Sequence, residues 1–145
     1  MSEVEIVSNG PSISQEDKGA VLQLPAELDR TWNERNAPAF VALFDEDGDF
    51  RFHTGQWIKG RKAIEQFWRE EVFSTLPEGM RHIVTPWQVR FVTDDVAIGE
   101  GTLRLVEHVE GQERVHLETE GTLLAVKRDV HWRISAIRLA TLAAG

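Results

Sequence analysis

The stretch DVAIGEGTLRLVEH, from Asp95 to His108, decides the fold. Ile98, Glu100, Thr102, Arg104 and Val106 fall at every second position, the spacing of one face of a strand. The strand is long for a small domain, and Gly99 and Gly101 lie within it. Glycine weakens a strand interior and marks a bulge or bend. Comparable extended segments flank it at 81–93, 113–128 and 131–142. Thr93-Asp94-Asp95, the turn around Glu110-Gly111-Gln112, and Arg128-Asp129-Val130 read as their hairpin connections. Long strands that bend together around helices make a cone open at one end.

Working outward toward the N-terminus, the periodicity changes. Ser14 and Asp17 have the spacing of a helix cap with an acid in the first turn. Val21, Leu24, Leu28 and Trp32 mark one apolar face of a helix to about Arg35. Pro25 lies inside it and either kinks it or starts its second half. Pro38 opens a short second helix with Phe40, Val41 and Phe44. Asp45 to Asp49 reads as a turn into a strand at Phe50 to His53. Gly60 opens a third helix over 61–73, with Ala63, Ile64, Phe67 and Trp68 as its buried stripe. Helices first and hairpins last predict an α+β fold, helices packed on one face of an antiparallel sheet. Residues 1–13 read as a mobile lead-in. Residues 14–145 read as one domain.

Composition narrows the function classes. The chain has 145 residues, no cysteine, no tyrosine, and a net charge of −8. A disulfide framework, a cysteine-based zinc site and a thiol nucleophile are excluded. So is any mechanism that needs a phenol. Nucleic acid is repelled on average, because phosphate binding needs clustered Lys and Arg. No apolar run approaches a membrane span, and the N-terminus lacks the pattern of a signal peptide. Cytoplasmic residence is the expectation. No two histidines have the i, i+4 spacing of a helical metal site. No Gly-rich phosphate loop follows a strand, so no metal and no cofactor is expected.

Several blocks in order carry a resemblance. They are Trp32-Asn33, AFVALF at 39–44 with DGDF at 47–50, Gly55 followed by GRKAI at 60–64, DVAIG at 95–99, the strand pair around Thr122, and HWRI at 131–134. Over roughly residues 20 to 142 the chain resembles the nuclear transport factor 2-like superfamily, and within it SnoaL-like and SgcJ/EcaC-type small proteins. The resemblance implies a cystatin-like cone: about three helices on a strongly bent sheet. It also implies a small-molecule pocket and a homodimer through the outer sheet face. It does not imply one reaction, because this fold hosts isomerases, dehydratases, cyclases and non-catalytic modules. Relatives resembling ketosteroid isomerase carry an acid where this chain reads Phe50-Arg51-Phe52-His53, and a pocket Tyr that it lacks. SgcJ/EcaC-like chains tend to have Asp at the position of Asn36 and His at that of Arg138.

With the resemblance placing Thr122, Trp132 and Ile134 on the concave side, strand alternation sends Glu100, Arg104, His116, Glu118, Glu120 and Arg138 the same way. His53 and Glu118 are then the expected proton carriers. Arg138 is an anion or oxyanion partner, with Glu100 and Arg104 beside it. Trp57 forms an apolar wall and Trp32 belongs to the helical stripe. The plain alternatives are a structural Glu–Arg pair and a solvated strand-end histidine. His82, His108 and His131 read as surface residues. The expected function is binding of a small molecule, with acid–base proton transfer on a carbonyl-containing or polycyclic substrate. The alternative is a non-catalytic dimeric carrier or protein-association module.

Overall fold

The structure, a computed structural model, describes residues 4–8 and 12–142. Strand β1 is Glu5–Val7, helix α1 is Gln15–Asn33 and helix α2 is Ala37–Val41. Strands β2 and β3 are Phe44–Arg51 and Trp57–Lys59, and α3 is Arg61–Phe67. The long strands β4, β5, β6 and β7 are Met80–Thr93, Val96–Val109, Gln112–Arg128 and His131–Thr141. They pair in one seven-stranded sheet of order β1-β4-β5-β6-β7-β2-β3. The four long strands are antiparallel neighbours, as their hairpin turns require. The two outer attachments, β1 on β4 and β2 on β7, are parallel, so the sheet is mixed.

Four local expectations need correction. Glu5–Val7 is a strand on the edge of β4, within the segment read as a mobile lead-in. Residues 1–3 and 9–11 of that segment lie outside the described residues. Asp45 to Asp49 belongs to β2 rather than a turn; its register on β7 breaks between Phe44 and Asp49. His53 falls beyond β2, in the turn toward β3. The third helix changes winding at Trp68, where a π-helical turn, Trp68–Val72, continues α3.

The core lies between the helices and the concave sheet face. Val21, Leu24, Leu28 and Trp32 of α1 are buried there, the face that their spacing predicts. Phe40, Phe44, Phe50, Phe52 and Trp68 form a continuous aromatic cluster, with Phe40 and Phe52 stacked on Trp68 at 5.0 and 5.4 Å. Such contacts add to area burial.

The start of α1 is tied to the closing strands through Asp17. Its carboxylate accepts from the Trp132 indole at 2.9 Å and from Lys127 at 3.2 Å. The Trp132 bond chiefly, with Lys127 and Ser14, holds Asp17 below its ordinary value of 3.8. A depressed carboxylate stabilises the fold above its unfolded pKa, and that stability is lost as pH falls through the folded one. Asp17→Asn is therefore expected to cost roughly 1–2 kcal/mol at neutral pH. Urea unfolding of both proteins across pH checks this: the gap holds above pH 3.8 and closes below it.

Candidate functional site

A hollow remains between the layers. It has a volume of about 140 Å³ and is lined mostly by apolar side chains: Val21, Leu28, Trp32, Phe40, Phe52 and Trp68 from the helices and the β2–β3 turn, and Phe50, Val89, Leu103, Leu105, Leu117, Leu123, Ile137 and Leu139 from the strands. Gly99, Gly101 and Gly121 border it, and at Gly99 a larger side chain would fill it. A Cβ on Gly99 would meet nothing nearer than the Leu123 carbonyl oxygen at 3.9 Å. Gly99→Val is accordingly expected to keep or raise thermal stability, by up to about 1 kcal/mol, while abolishing uptake of a one-ring probe such as acetophenone. Thermal unfolding and ligand titration on the same sample check both halves.

Helix α1 and strand β4 bring one polar pair together, of which His82 borders this hollow. Beside His82, β4 pairs with β5, while β1 covers only Gln88 to Arg90. Residues of α1 bond to the exposed backbone there. Asn33 donates to the His82 carbonyl at 3.0 Å and accepts its N–H at 2.8 Å. Asp29 accepts the Val84 N–H at 3.0 Å and holds His82 Nδ1 at 2.8 Å. The imidazole stacks on Trp32, with ring centroids 5.0 Å apart. His82 is 7% exposed and borders the cavity, not the surface as its strand-end position suggested. A carboxylate only accepts, so Nδ1 carries the hydrogen, and in the neutral ring Nε2 keeps its lone pair. Among the described residues Nε2 has no hydrogen-bond partner.

The residues expected from sequence are distributed differently. Trp32 lines the cavity. Leu103, Leu105, Leu117 and Leu123 occupy the concave face, so by alternation the side chains of Glu100, Arg104, Glu118, Glu120 and Thr122 turn to the outer face, while Glu100 and Thr122 still border the cavity. Arg104 reaches Glu118 and Glu113 at 3.3 Å. Arg138 is on the outer face as well. Ser135 is an extra residue opposite the Leu124–Ala125 step, so Ile134 and Ile137 both face inward and Arg138 outward. One inserted residue moves every following side chain to the other face. His116 bonds Glu107 at 2.8 Å at the far end of β5 and β6, its side chain 37% exposed. His53 does not border the cavity; its Nδ1 is buried without a protein partner.

Two of the expected residues do meet, on the outer face. Trp57 is 45% exposed, and Lys59, Arg138 and Arg51 lie 4.6, 5.0 and 5.1 Å from its ring centroid. Arg138 also pairs with Asp49. Among the described residues no group of three His, Cys, Asp or Glu is placed to hold a metal ion. No helix among them is long and apolar enough to cross a membrane.

Helices laid over a strongly bent sheet, with an apolar hollow between, define the cystatin-like class of α+β folds. The chain belongs to the SnoaL-like domain family, whose model matches residues 14–138. It is similar to a domain of unknown function with a cystatin-like fold from Nostoc punctiforme, at 25% identity and TM-score 0.80, covering 90% of this chain and 80% of that one. It is also similar to a nuclear transport factor 2-like protein from Novosphingobium aromaticivorans, at 23% identity and TM-score 0.81, covering 90% and 84%. No curated protein gives a match.

Proposed function

We propose that this SnoaL-like protein binds a small apolar molecule between helices and sheet and moves a proton on it through His82. The observation that carries this reading is an imidazole fixed by Asp29 at Nδ1, with a free Nε2, at the edge of an apolar cavity. A neutral imidazole is a weak base, so the C–H it can attack lies next to a carbonyl. Nε2 takes the proton from carbon, Asp29 stabilises the imidazolium, and the proton returns at the same or another atom. Asp29 positions; His82 reacts. The test is deuterium exchange at the methyl group of acetophenone in D₂O, followed by NMR. Exchange above the buffer rate supports the reading. Binding without exchange turns the protein into the non-catalytic carrier.

A homodimer through the outer sheet face forms part of this reading. One row across that face runs Trp57, Arg51, Arg138, Thr122, Glu100 and Gln88. Cations lie at one end and Glu100 toward the other. A two-fold axis along the strands, between β6 and β7, would lay Arg51 of one copy over Glu100 of its partner. Sedimentation is expected to show a dimer that weakens from about 50 mM to about 500 mM salt. Arg51→Glu should dissociate it, and adding Glu100→Arg should restore it.

A further inference from the structure

We infer that the ligands of this cavity are uncharged and place no more than one ring's bulk inside it. The inference rests on the proposed use of the cavity but deepens it, because it names which molecules enter.

Size comes first. The hollow measures about 140 Å³. An apolar cavity of about 150 Å³ holds one benzene molecule. A fused polycyclic scaffold therefore does not fit inside, and its remainder would have to stand in the mouth. Charge comes second. Of the described ionisable side chains, only His82 borders the cavity from the concave face. Glu100 also borders it, from a position whose side chain alternates outward. The sheet cations Arg104 and Arg138 are committed on the other face to Glu113 and Glu118 and to Asp49. A carboxylate or phosphate taken inside would lose its water and gain no cation. His82 cannot supply one freely, because the Asp29 carboxylate already stands 2.8 Å from its ring. A second anion at Nε2 would face that charge across one imidazole. Polar lining is otherwise scarce, so hydrogen bonding cannot replace the lost hydration.

The experiment titrates the intact protein at neutral pH with acetophenone, benzoate and 9-acetylanthracene, by ligand-observed NMR, with Gly99→Val as the control for cavity occupancy. Acetophenone is expected to bind and to lose binding in Gly99→Val. Benzoate, the same ring with a charge, is expected to bind at least ~100-fold more weakly. The anthracene ketone is expected to bind at least ~10-fold more weakly, or in a manner that Gly99→Val leaves unchanged. Benzoate within tenfold of acetophenone would overturn the charge rule. Equal, Gly99-dependent binding of the anthracene ketone would overturn the size rule. Selective acetophenone binding without deuterium exchange leaves this inference standing and removes the proton-transfer reading. Exchange accompanied by tight benzoate binding does the reverse.

Discussion

Exchange of the acetophenone methyl protons is expected to fall by about 10²–10⁴-fold in His82→Gln, the range for loss of one positioned base. The loss should appear in the rate at saturating probe, with the probe's Kd changed by less than tenfold. The reason is geometric. The backbone N–H and C=O of residue 82 stay bonded to Asn33 whatever the side chain, and Asp29 keeps its bond from the Val84 N–H. The β4–α1 junction therefore survives, and the variant should fold. Asp29→Asn acts differently. Its amide can donate to Nδ1, which favours the tautomer with hydrogen on Nε2 and so removes the free lone pair without removing the imidazole. Both variants lowering exchange, with circular dichroism unchanged, is the expected pattern. His82→Gln exchanging at the wild-type rate would leave the base elsewhere.

The second large effect concerns stability. A Cβ added at Gly101 would stand 2.6 Å from the Thr85 carbonyl oxygen and 2.9 Å from the Pro86 Cα. Both are backbone atoms of the adjacent strand, at the point where the β4–β5 register shifts between Pro86 and Gln88. Neither can rotate aside, so the strands must separate. Gly101→Ala is expected to cost about 3 kcal/mol, the upper range for forced overpacking. That corresponds to a melting temperature lower by roughly 10 °C for a domain of this size. Gly99, two residues earlier on the same strand, is the internal control. Its Cβ would occupy open space, so its substitution should not destabilise. Equal losses at both sites would mean that general strand disruption, and not close approach at the bend, explains the glycines.

Much of the scaffold was legible in the sequence. Turn residues delimit the four long strands because positions after a hairpin need particular backbone angles; Glu110, Asp129 and Val130 all have positive φ. The stripe Val21, Leu24, Leu28 and Trp32 identified the buried face of α1. Which sheet face each polar residue takes was not legible. The alternation Glu100–Thr102–Arg104 is plain, but assigning it to the cavity needed the registers. Single-residue shifts near Trp87, His116 and Ser135 leave no mark in composition. The concave face of β5 is also disguised, because two of its positions are glycines. His82 and Asp29 are separated by 53 positions, so no local motif joins them. The available hint was Asp29 and Asn33 at i, i+4 spacing, flanking the buried Leu28 and Trp32. That spacing places both on one side of the helix, where they meet the backbone of β4.

The direct measurement is the nitrogen spectrum of His82 in protein labelled with ¹⁵N-histidine, with the ring in its neutral form, with and without acetophenone. Hydrogen on Nδ1, a bare Nε2, and a shift of the Nε2 signal on adding the ketone are what the Asp29 contact and the apolar hollow demand. Hydrogen on Nε2, or a signal that ignores the ketone while it binds, would mean that this imidazole is a packing element and takes no part in what the cavity does.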